Sequence, residues 1–293
     1  MRRALVVGAG GQLGRALVAT APPGVEVVAL DRRALDVTDA DAVARVLTVR
    51  APDVVLNASG WTAVDAAEEQ PEAAWAVNAV APGTLADACA RLDARLVHVS
   101  TDYVFDGAAS APYRVTDEPA PLNVYGESKL AGERAVVASG GEALVVRTSW
   151  LHAAGGANFV RTMLRRFCEH GSARVVADQV GSPTWARGLA EVLWAAAARR
   201  EVVGLAHWCD MGQASWYELA VAVAQEGEAL GLVSGRARVT PIASAEWPQA
   251  AARPRWSVLD VGDLPARIEV EQRPWRVQLR AMLAEEAARE RAP

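Results

Sequence analysis

Tyr125 is followed four residues later by Lys129 in the string Tyr125-Gly126-Glu127-Ser128-Lys129, and Ser100-Thr101-Asp102 lies upstream. Residues four apart share one face of a helix, so the Lys129 ammonium comes near the Tyr125 phenol and eases exchange of its proton. A phenol so placed, with a small hydroxyl beside it, gives a proton to a carbonyl oxygen or takes one from an alcohol. These residue types suit hydroxyl/carbonyl redox chemistry, which also needs a hydride source.

The N-terminus supplies a place for one. Gly8-Ala9-Gly10-Gly11-Gln12-Leu13-Gly14 follows a short apolar run and opens a helical pattern. Gly8 permits a tight turn, Gly11 lets backbone amides approach a pyrophosphate at the helix N-terminus, and Gly14 lets the helix pack closely on the sheet. Asp31, about twenty residues on, is placed to accept hydrogen bonds from an adenosine ribose, which favours NADH. Arg32 and Arg33 follow directly and suit a 2′-phosphate, which keeps NADPH open. Asp36 and Val37 either flank the adenine or begin the next helix. With a nicotinamide in place, Thr101 (or Ser100) donates a hydrogen bond to the substrate carbonyl and Tyr125 protonates the oxygen as hydride arrives. Lys129 holds the nicotinamide ribose and favours the phenolate. Thr101 is preferred over Ser100 because it lies closer to the sheet edge.

These groups need a scaffold that brings residues 8, 101 and 125 together. Leu5-Val6-Val7, Val25 to Leu30, Val54-Val55-Leu56, Leu96 to Val99 and Leu144-Val145-Val146 are short, β-branched and apolar on both faces, as buried parallel strands are. Helical patterns at Gln12 to Ala19, Asp39 to Val49, Pro71 to Arg91 and Val124 to Ser139 alternate with them. The order predicts an α/β fold, a doubly wound parallel sheet (Rossmann-like) whose ligands lie at the carboxyl ends of the strands. Residues 1–150 are expected to form the dinucleotide-binding domain, with last sheet elements from about 172–210. About 151–171 and 211–293 are expected to form a smaller, interleaved substrate-binding lobe, including helices near Asn158 to Glu169, Ser215 to Ala229 and Trp275 to Arg291.

Composition narrows the partners. The chain has 293 residues, 52% hydrophobic, enough for one large or two ordinary domains, and a formal net charge of −5 without the basic block that a nucleic-acid surface requires. Three cysteines, Cys89, Cys168 and Cys209, show neither disulfide nor metal-ligand spacing and read as reduced thiols of a cytoplasmic protein. The apolar run Ala4 to Val7 is too short for a signal peptide, and no stretch reaches membrane-spanning length. His98 reads as a core histidine. Arg253, Arg255 and Arg273 are candidates for diphosphate contacts, and the acidic residues Glu285, Glu286 and Glu290 read as a solvated helix face rather than a metal site. Hydride transfer needs no metal. A monomer and a homodimer remain open.

With these residues in hand, the chain resembles the extended short-chain dehydrogenase/reductases, and among them the dTDP-4-dehydrorhamnose reductases. The likeness runs through Leu35 to Asp39, Asn57 with Trp61 to Asp65, Ala76 to Ala79, Ser100 to Gly107, Tyr125 to Glu133, Arg147 to Trp150, Asn158 to Val160, and Asp178-Gln179-Val180-Gly181-Ser182-Pro183-Thr184. The resemblance implies reduction of the C4 ketone of a dTDP-4-dehydro-6-deoxy sugar by NADPH or NADH, with dTDP-4-dehydro-L-rhamnose the first candidate. It implies catalytic roles for Thr101, Tyr125 and Lys129, sugar contacts for Asp102, Tyr103 and Trp150, and cofactor contacts for Gly11, Gln12, Leu13, Asp36, Val37, Ala58, Ser59 and Trp61. Ser59-Gly60 stands where members commonly carry two alanines, and Leu151-His152 where Val/Tyr-Gly is usual. The alternatives are a 4-ketoreductase for another deoxysugar, as in antibiotic biosynthesis, and a non-catalytic nucleotide-binding regulatory subunit.

Overall fold

The computed structural model describes residues 1–291; Ala292 and Pro293, the end of the expected lobe 211–293, lie outside the described residues. The first half alternates strands and helices: β1 (Arg3–Val7), α1 (Gln12–Ala19), β2 (Glu26–Leu30), α2 (Ala40–Arg50), β3 (Val54–Asn57), α3 (Val64–Glu69), α4 (Pro71–Trp75), α5 (Ala81–Arg91), β4 (Arg95–Thr101), α6 (Val124–Ala138) and β5 (Ala143–Thr148). The expected helix over Pro71 to Arg91 is interrupted by one π-helical turn, Ala76–Val80. Such a turn widens the helix locally and is frequent at functional sites.

The second half contains β6 (Leu151–His152), α7 (Phe159–His170), β7 (Ser172–Val176), β8 (Val180–Gly181), β9 (Thr184–Trp185), α8 (Ala186–Ala197), β10 (Gly204–His207), β11 (Ala214–Ser215), α9 (Trp216–Ala229), β12 (Arg238–Ile242), α10 (Leu264–Ile268) and α11 (Trp275–Arg291). The central sheet is parallel throughout, in the order β10-β5-β4-β3-β1-β2. The chain leaves β1 toward β2 on one side and returns to β3 on the other, so a crevice opens between β1 and β3 at their carboxyl ends. Within the expected sheet span 172–210 it is β10 that extends the sheet. The strand β7 pairs instead with β12, in a separate two-stranded sheet.

Alternate strand residues face opposite layers, because successive side chains leave a strand on opposite sides. Ala4, Val6, Val54 and Leu56 join a core with α1 and α8. Leu5, Val7 and Val55 join the other, with α2 and α5. A third core gathers α7, α9, α11, β7 and β12 around Phe167, Val223, Leu279 and Met282, and forms the lobe facing the crevice. No helix among the described residues is long and apolar enough to cross a membrane.

Candidate active site

The glycine turn is shaped by close backbone approaches. Gly8 has φ +79°, and a Cβ there would stand 2.6 Å from Ser59 N and 2.7 Å from Ala58 C, so glycine lets the end of β1 press against the end of β3. A Cβ on Gly14 would fall inside contact distance of the Gly8 carbonyl. Gly11 donates its N–H to Gly8 O at 3.0 Å and caps α1 without any side-chain hydrogen bond, leaving the first-turn amides available to an anion. A cavity of about 440 Å³ opens here, walled by Gly8, Gly11, Arg32, Asp36, Val37 and Trp61, with Ala58 and Ser59 at its inner edge. A nucleoside with its phosphates on the helix N-terminus fits these walls.

The structure does not bring two expected cofactor contacts to the cavity wall. Gly14 is buried beneath the turn and serves packing. Asp31 spends Oδ1 on its own turn, accepting from Arg33 N at 3.0 Å and Ala34 N at 2.9 Å. Asp36 does the same with Thr38, whose hydroxyl and amide donate at 2.7 and 3.0 Å and hold the carboxyl below its ordinary range, with Arg32 adding to the effect. Trp61 is pinned from the π-helical turn: Asn78 Oδ1 accepts from Trp61 N at 2.8 Å and Asn78 Nδ2 donates to Trp61 O at 3.0 Å. The Ser59 hydroxyl donates to Asn57 Oδ1 at 2.6 Å, and Asn57 Nδ2 donates to His98 Nδ1 at 3.0 Å. His98 is fully buried and neutral, pushed well below its ordinary value by burial and then by the Lys129 charge.

A second cleft of about 440 Å³ continues from the turn, lined by Gln12, Leu13, Ser100, Thr101, Tyr125 and Lys129 among others. At the end of β4 the Thr101 side chain accepts from Tyr103 N at 3.2 Å, capping the 3₁₀ turn Asp102–Val104, and donates to Asp102 Oδ1 at 3.1 Å. Asn123 caps α6 by accepting from Gly126 N at 2.8 Å. A Cβ on Gly126 would collide with the Tyr103 carbonyl, so glycine lets the first turn of α6 dock on that 3₁₀ turn. The Tyr103 and Tyr125 rings consequently meet edge to face at 5.7 Å. Lys129 is buried and donates from Nζ to Val99 O at 2.6 Å.

The electrostatics differ from the simplest expectation. Burial pushes the Tyr125 phenol up to about 12; the Thr101 hydroxyl works against this and the Asp102 charge adds to it. Lys129 is not among the main influences on the phenol; its own burial pushes it down to about 8, partly offset by Glu133. Asp102 is raised to about 7 by burial, opposed by the Ser257 and Thr101 hydroxyls. Ser100 Oγ, Thr148 Oγ1 and His152 Nε2 are buried without hydrogen-bond partners, and all three residues line this cleft. Buried polar atoms of this kind find partners in native proteins, so these three are available to water or to a polar group entering the cleft.

Trp150 lines the far wall with φ +46°, a conformation non-glycine residues seldom adopt. Its indole stacks on Trp216 at 3.5 Å and 3°, and Phe159 leans on Trp216 at 4.7 Å. The string Asp178 to Thr184 builds the surroundings of this stack. A Cβ on Gly181 would lie 2.5 Å from the Trp150 indole, Ser149 Oγ donates to Ser182 O, and Leu151 pairs with Thr184. Beyond Tyr103, Phe159 and Trp216, a further cavity of about 320 Å³ carries Met163, Trp247 and Arg253. Arg253 grips Asp65 through both nitrogens at 2.8 and 2.7 Å; Arg255 and Arg273 line neither this cavity nor the cleft.

Glu286 departs from the solvated face expected of it. Its side chain is buried and accepts from Gly155 N at 2.7 Å and Arg161 Nε at 2.6 Å, bracing the glycine loop beside Gln12. Among the described residues no cluster of three or more His, Cys, Asp or Glu is placed to hold a metal ion. Trp216, Phe159, Thr148 and Asn78 were not singled out by sequence reasoning. Asn158-Phe159, Ala76 to Ala79 and Arg147 to Trp150 carried Phe159, Asn78 and Thr148 as members of family strings, whereas Trp216 lies 66 residues from its partner Trp150.

A doubly wound sheet, a glycine turn opening on its switch point and a half-buried Tyr125 beside a buried Lys129 in the adjoining cleft define a dinucleotide-dependent short-chain dehydrogenase/reductase class. The chain belongs to the RmlD substrate binding domain family, whose sequence model matches residues 1–288. It is 43% identical over 282 residues to the dTDP-4-dehydrorhamnose reductase of Burkholderia thailandensis, covering 93% of this chain and 95% of that protein. It is also 40% identical over 294 residues to a probable dTDP-4,6-dihydroxy-2-methyloxan-3-one 4-ketoreductase of Streptomyces antibioticus, covering 99% and 98%. Among solved structures it is similar to the dTDP-4-dehydrorhamnose reductase of Bacillus anthracis in complex with NADP, with TM-score 0.90, 33% identity, and 97% and 99% of the two chains covered.

Proposed function

We propose that this protein reduces the C4 ketone of a dTDP-4-dehydro-6-deoxy sugar with NADPH or NADH, and that the substrate is dTDP-4-dehydro-L-rhamnose, giving dTDP-L-rhamnose. The observation that carries this reading is the meeting of Thr101, Tyr125 and Lys129 in one cleft continuous with the glycine turn. A dinucleotide bound across Gly11, Gln12, Leu13, Ala58, Ser59 and Trp61 supplies the hydride. Lys129 orients the nicotinamide ribose with the N–H groups not committed to Val99 O. The Thr101 hydroxyl turns its one proton from Asp102 Oδ1 to the carbonyl oxygen, and Tyr125, neutral over the physiological range because burial raises it to about 12, gives that oxygen its proton. Burial among Tyr103, Trp150 and Trp216 keeps water away from the reacting carbon.

The sugar lies against Asp102, Tyr103 and Trp150, and the nucleotide occupies the cavity of Met163, Trp247 and Arg253. Arg32 faces the adenosine cavity while Asp31 is turned into its own loop, which supports NADPH as the preferred donor. The reading places the protein in the cytoplasm as a monomer or homodimer, with the nucleotide sugar as its partner. A second reading, reduction of a different 4-keto deoxysugar, draws on the Streptomyces antibioticus relative and on Leu151-His152, which border the cleft. A purely regulatory subunit has no physical need for all three catalytic side chains.

The test is to supply dTDP-4-dehydrorhamnose with NADPH or NADH and follow nicotinamide absorbance. Turnover is expected for the wild type and its loss in Tyr125→Phe, with cofactor binding nearly intact. A panel of other 4-keto sugars turned over faster would favour the second reading, and equal activity in Tyr125→Phe would remove Tyr125 as proton donor.

A further inference from the structure

One segment bridges the two halves of the molecule over the cavity of Met163, Trp247 and Arg253. Residues 243–256 leave β12, and Ser244 anchors them to the lobe by donating from its amide and its hydroxyl to Asp178 Oδ1 at 2.9 and 2.6 Å. Trp247, Gln249 and Arg253 of this strap then wall the cavity beside Tyr103. The far end fastens to the dinucleotide-binding half at two points. On α3, Asp65 accepts from Arg253 Nη1 and Nη2 at 2.8 and 2.7 Å and from Ala251 N at 3.0 Å. At the start of α6, Asn123 donates from Nδ2 to Ala252 O at 2.7 Å.

Asn123 spends both ends of one amide. Its Oδ1 accepts from Gly126 N at 2.8 Å and caps the helix that carries Tyr125, while its Nδ2 holds the strap. The residue is only 3% exposed, so water does not replace either partner when that partner moves. The amide is planar and short, and a strap displaced at Ala252 therefore pulls on the first turn of α6. Among the described residues this is the one hydrogen bond between the strap and the start of that helix. We propose that Asn123 is a positioning residue that ties the wall of this cavity to the turn bearing Tyr125, so that a nucleotide held under the strap sets the phenol for a carbonyl the nucleotide does not touch. The inference rests on the reductase reading, in which the cavity takes the nucleotide and Tyr125 gives the proton. Binding energy from a non-reacting part of the substrate is then used at the reacting centre, which raises kcat and not affinity alone. A helix cap needs only an oxygen, which aspartate or serine supplies as well. The strap needs the N–H.

The experiment compares the full chain with Asn123→Asp, which keeps an oxygen for Gly126 N and sets a second oxygen against Ala252 O. With dTDP-4-dehydrorhamnose and NADPH, kcat is expected to fall about tenfold, the loss of one buried hydrogen bond, while KM for NADPH stays unchanged. A kcat equal to that of the wild type would leave Asn123 a helix cap and overturn the proposal. Amide hydrogen exchange reads the tie without turnover. Added dTDP is expected to slow exchange over residues 123–127 and 244–255 in the wild type, and over 244–255 alone in Asn123→Asp; equal slowing over 123–127 in both refutes the tie. A ligand-free arm separates the tie from the reductase reading. Arg253→Ala, which frees the strap from Asp65, should speed exchange over 123–127 in the wild-type background and not in the Asn123→Asp background. Acceleration in both, or in neither, overturns the proposal, even where dTDP does not bind and the reductase reading fails. Should Asn123→Asp not fold, Asn123→Ser, whose hydroxyl caps the helix but falls short of Ala252 O, is read by the same criteria.

Discussion

The indole of Trp150 lies flat on that of Trp216, 3.5 Å between centroids and 3° between planes, joining the end of the central sheet to the first turn of α9. The stack makes one wall of the cleft and holds Trp150 in its positive-φ conformation. Trp216→Ala is expected to destabilise the fold by roughly 3 kcal/mol and to raise KM for the nucleotide sugar more than KM for NADPH. Urea unfolding and steady-state kinetics check the two parts; equal increases in both KM values would detach Trp216 from the sugar site.

Gly126 is a second point of close approach. Adding a methyl group forces the first turn of α6 away from the Tyr103 carbonyl and carries Tyr125 with it. A displacement near 1 Å at a reacting group costs about 10²-fold in rate. Gly126→Ala is therefore predicted to lower kcat by that order while changing NADPH affinity little, as measured by kinetics and fluorescence titration.

Arg32 lines the cavity at the glycine turn and Asp31 does not. Arg32→Ala should reduce kcat/KM for NADPH about tenfold, since a charge-assisted contact to phosphate is lost, and leave NADH almost unaffected. The difference should shrink at high salt because Arg32 is solvent-exposed. Parallel losses with both donors would refute the assignment.

Asp102 and Lys129 give opposite contributions to stability with pH. Burial raises Asp102 from 3.8 to about 7, so the folded state binds more protons in that interval and stability falls as pH rises through it. Burial lowers Lys129 from 10.5 to about 8, so the unfolded chain binds more protons between those values and stability rises with pH there. Asp102→Asn removes the first effect. It should raise stability at pH 8 by roughly 2–4 kcal/mol, with little change at pH 4, in urea unfolding at the two pH values. An equal gain at both would show that ionisation of Asp102 is not the cause.

The sequence made the five leading strands and the helix at Tyr125 legible because each is specified locally. β-branched runs buried on both faces read as parallel strands, and Asn123 marks the start of α6. The glycine turn was legible for the same reason, since its demands on Gly8 and Gly14 are met within a few residues and one neighbouring strand. The π-helical turn at Ala76–Val80 was not, because its widening serves Asn78 contacts to Trp61 and Ser128, which are distant in sequence. Glu286 was misread for a related reason. A charged residue in an Arg-rich helix looks solvated until the glycine loop at Gly155 is brought against it.

By itself the sequence determined the alternation of strands and helices, the glycine turn, and the presence of a tyrosine and lysine on one helical face, because these depend on side-chain periodicity and local backbone freedom. Only the tertiary structure decided that β7 pairs with β12, that Trp216 covers Trp150, and that Asp31 turns from the cavity while Arg32 faces it. Burial is likewise a property of the packed chain. The degree to which solvent is excluded around Tyr125, Asp102 and Lys129 sets their protonation, and no spacing along the chain encodes that exclusion.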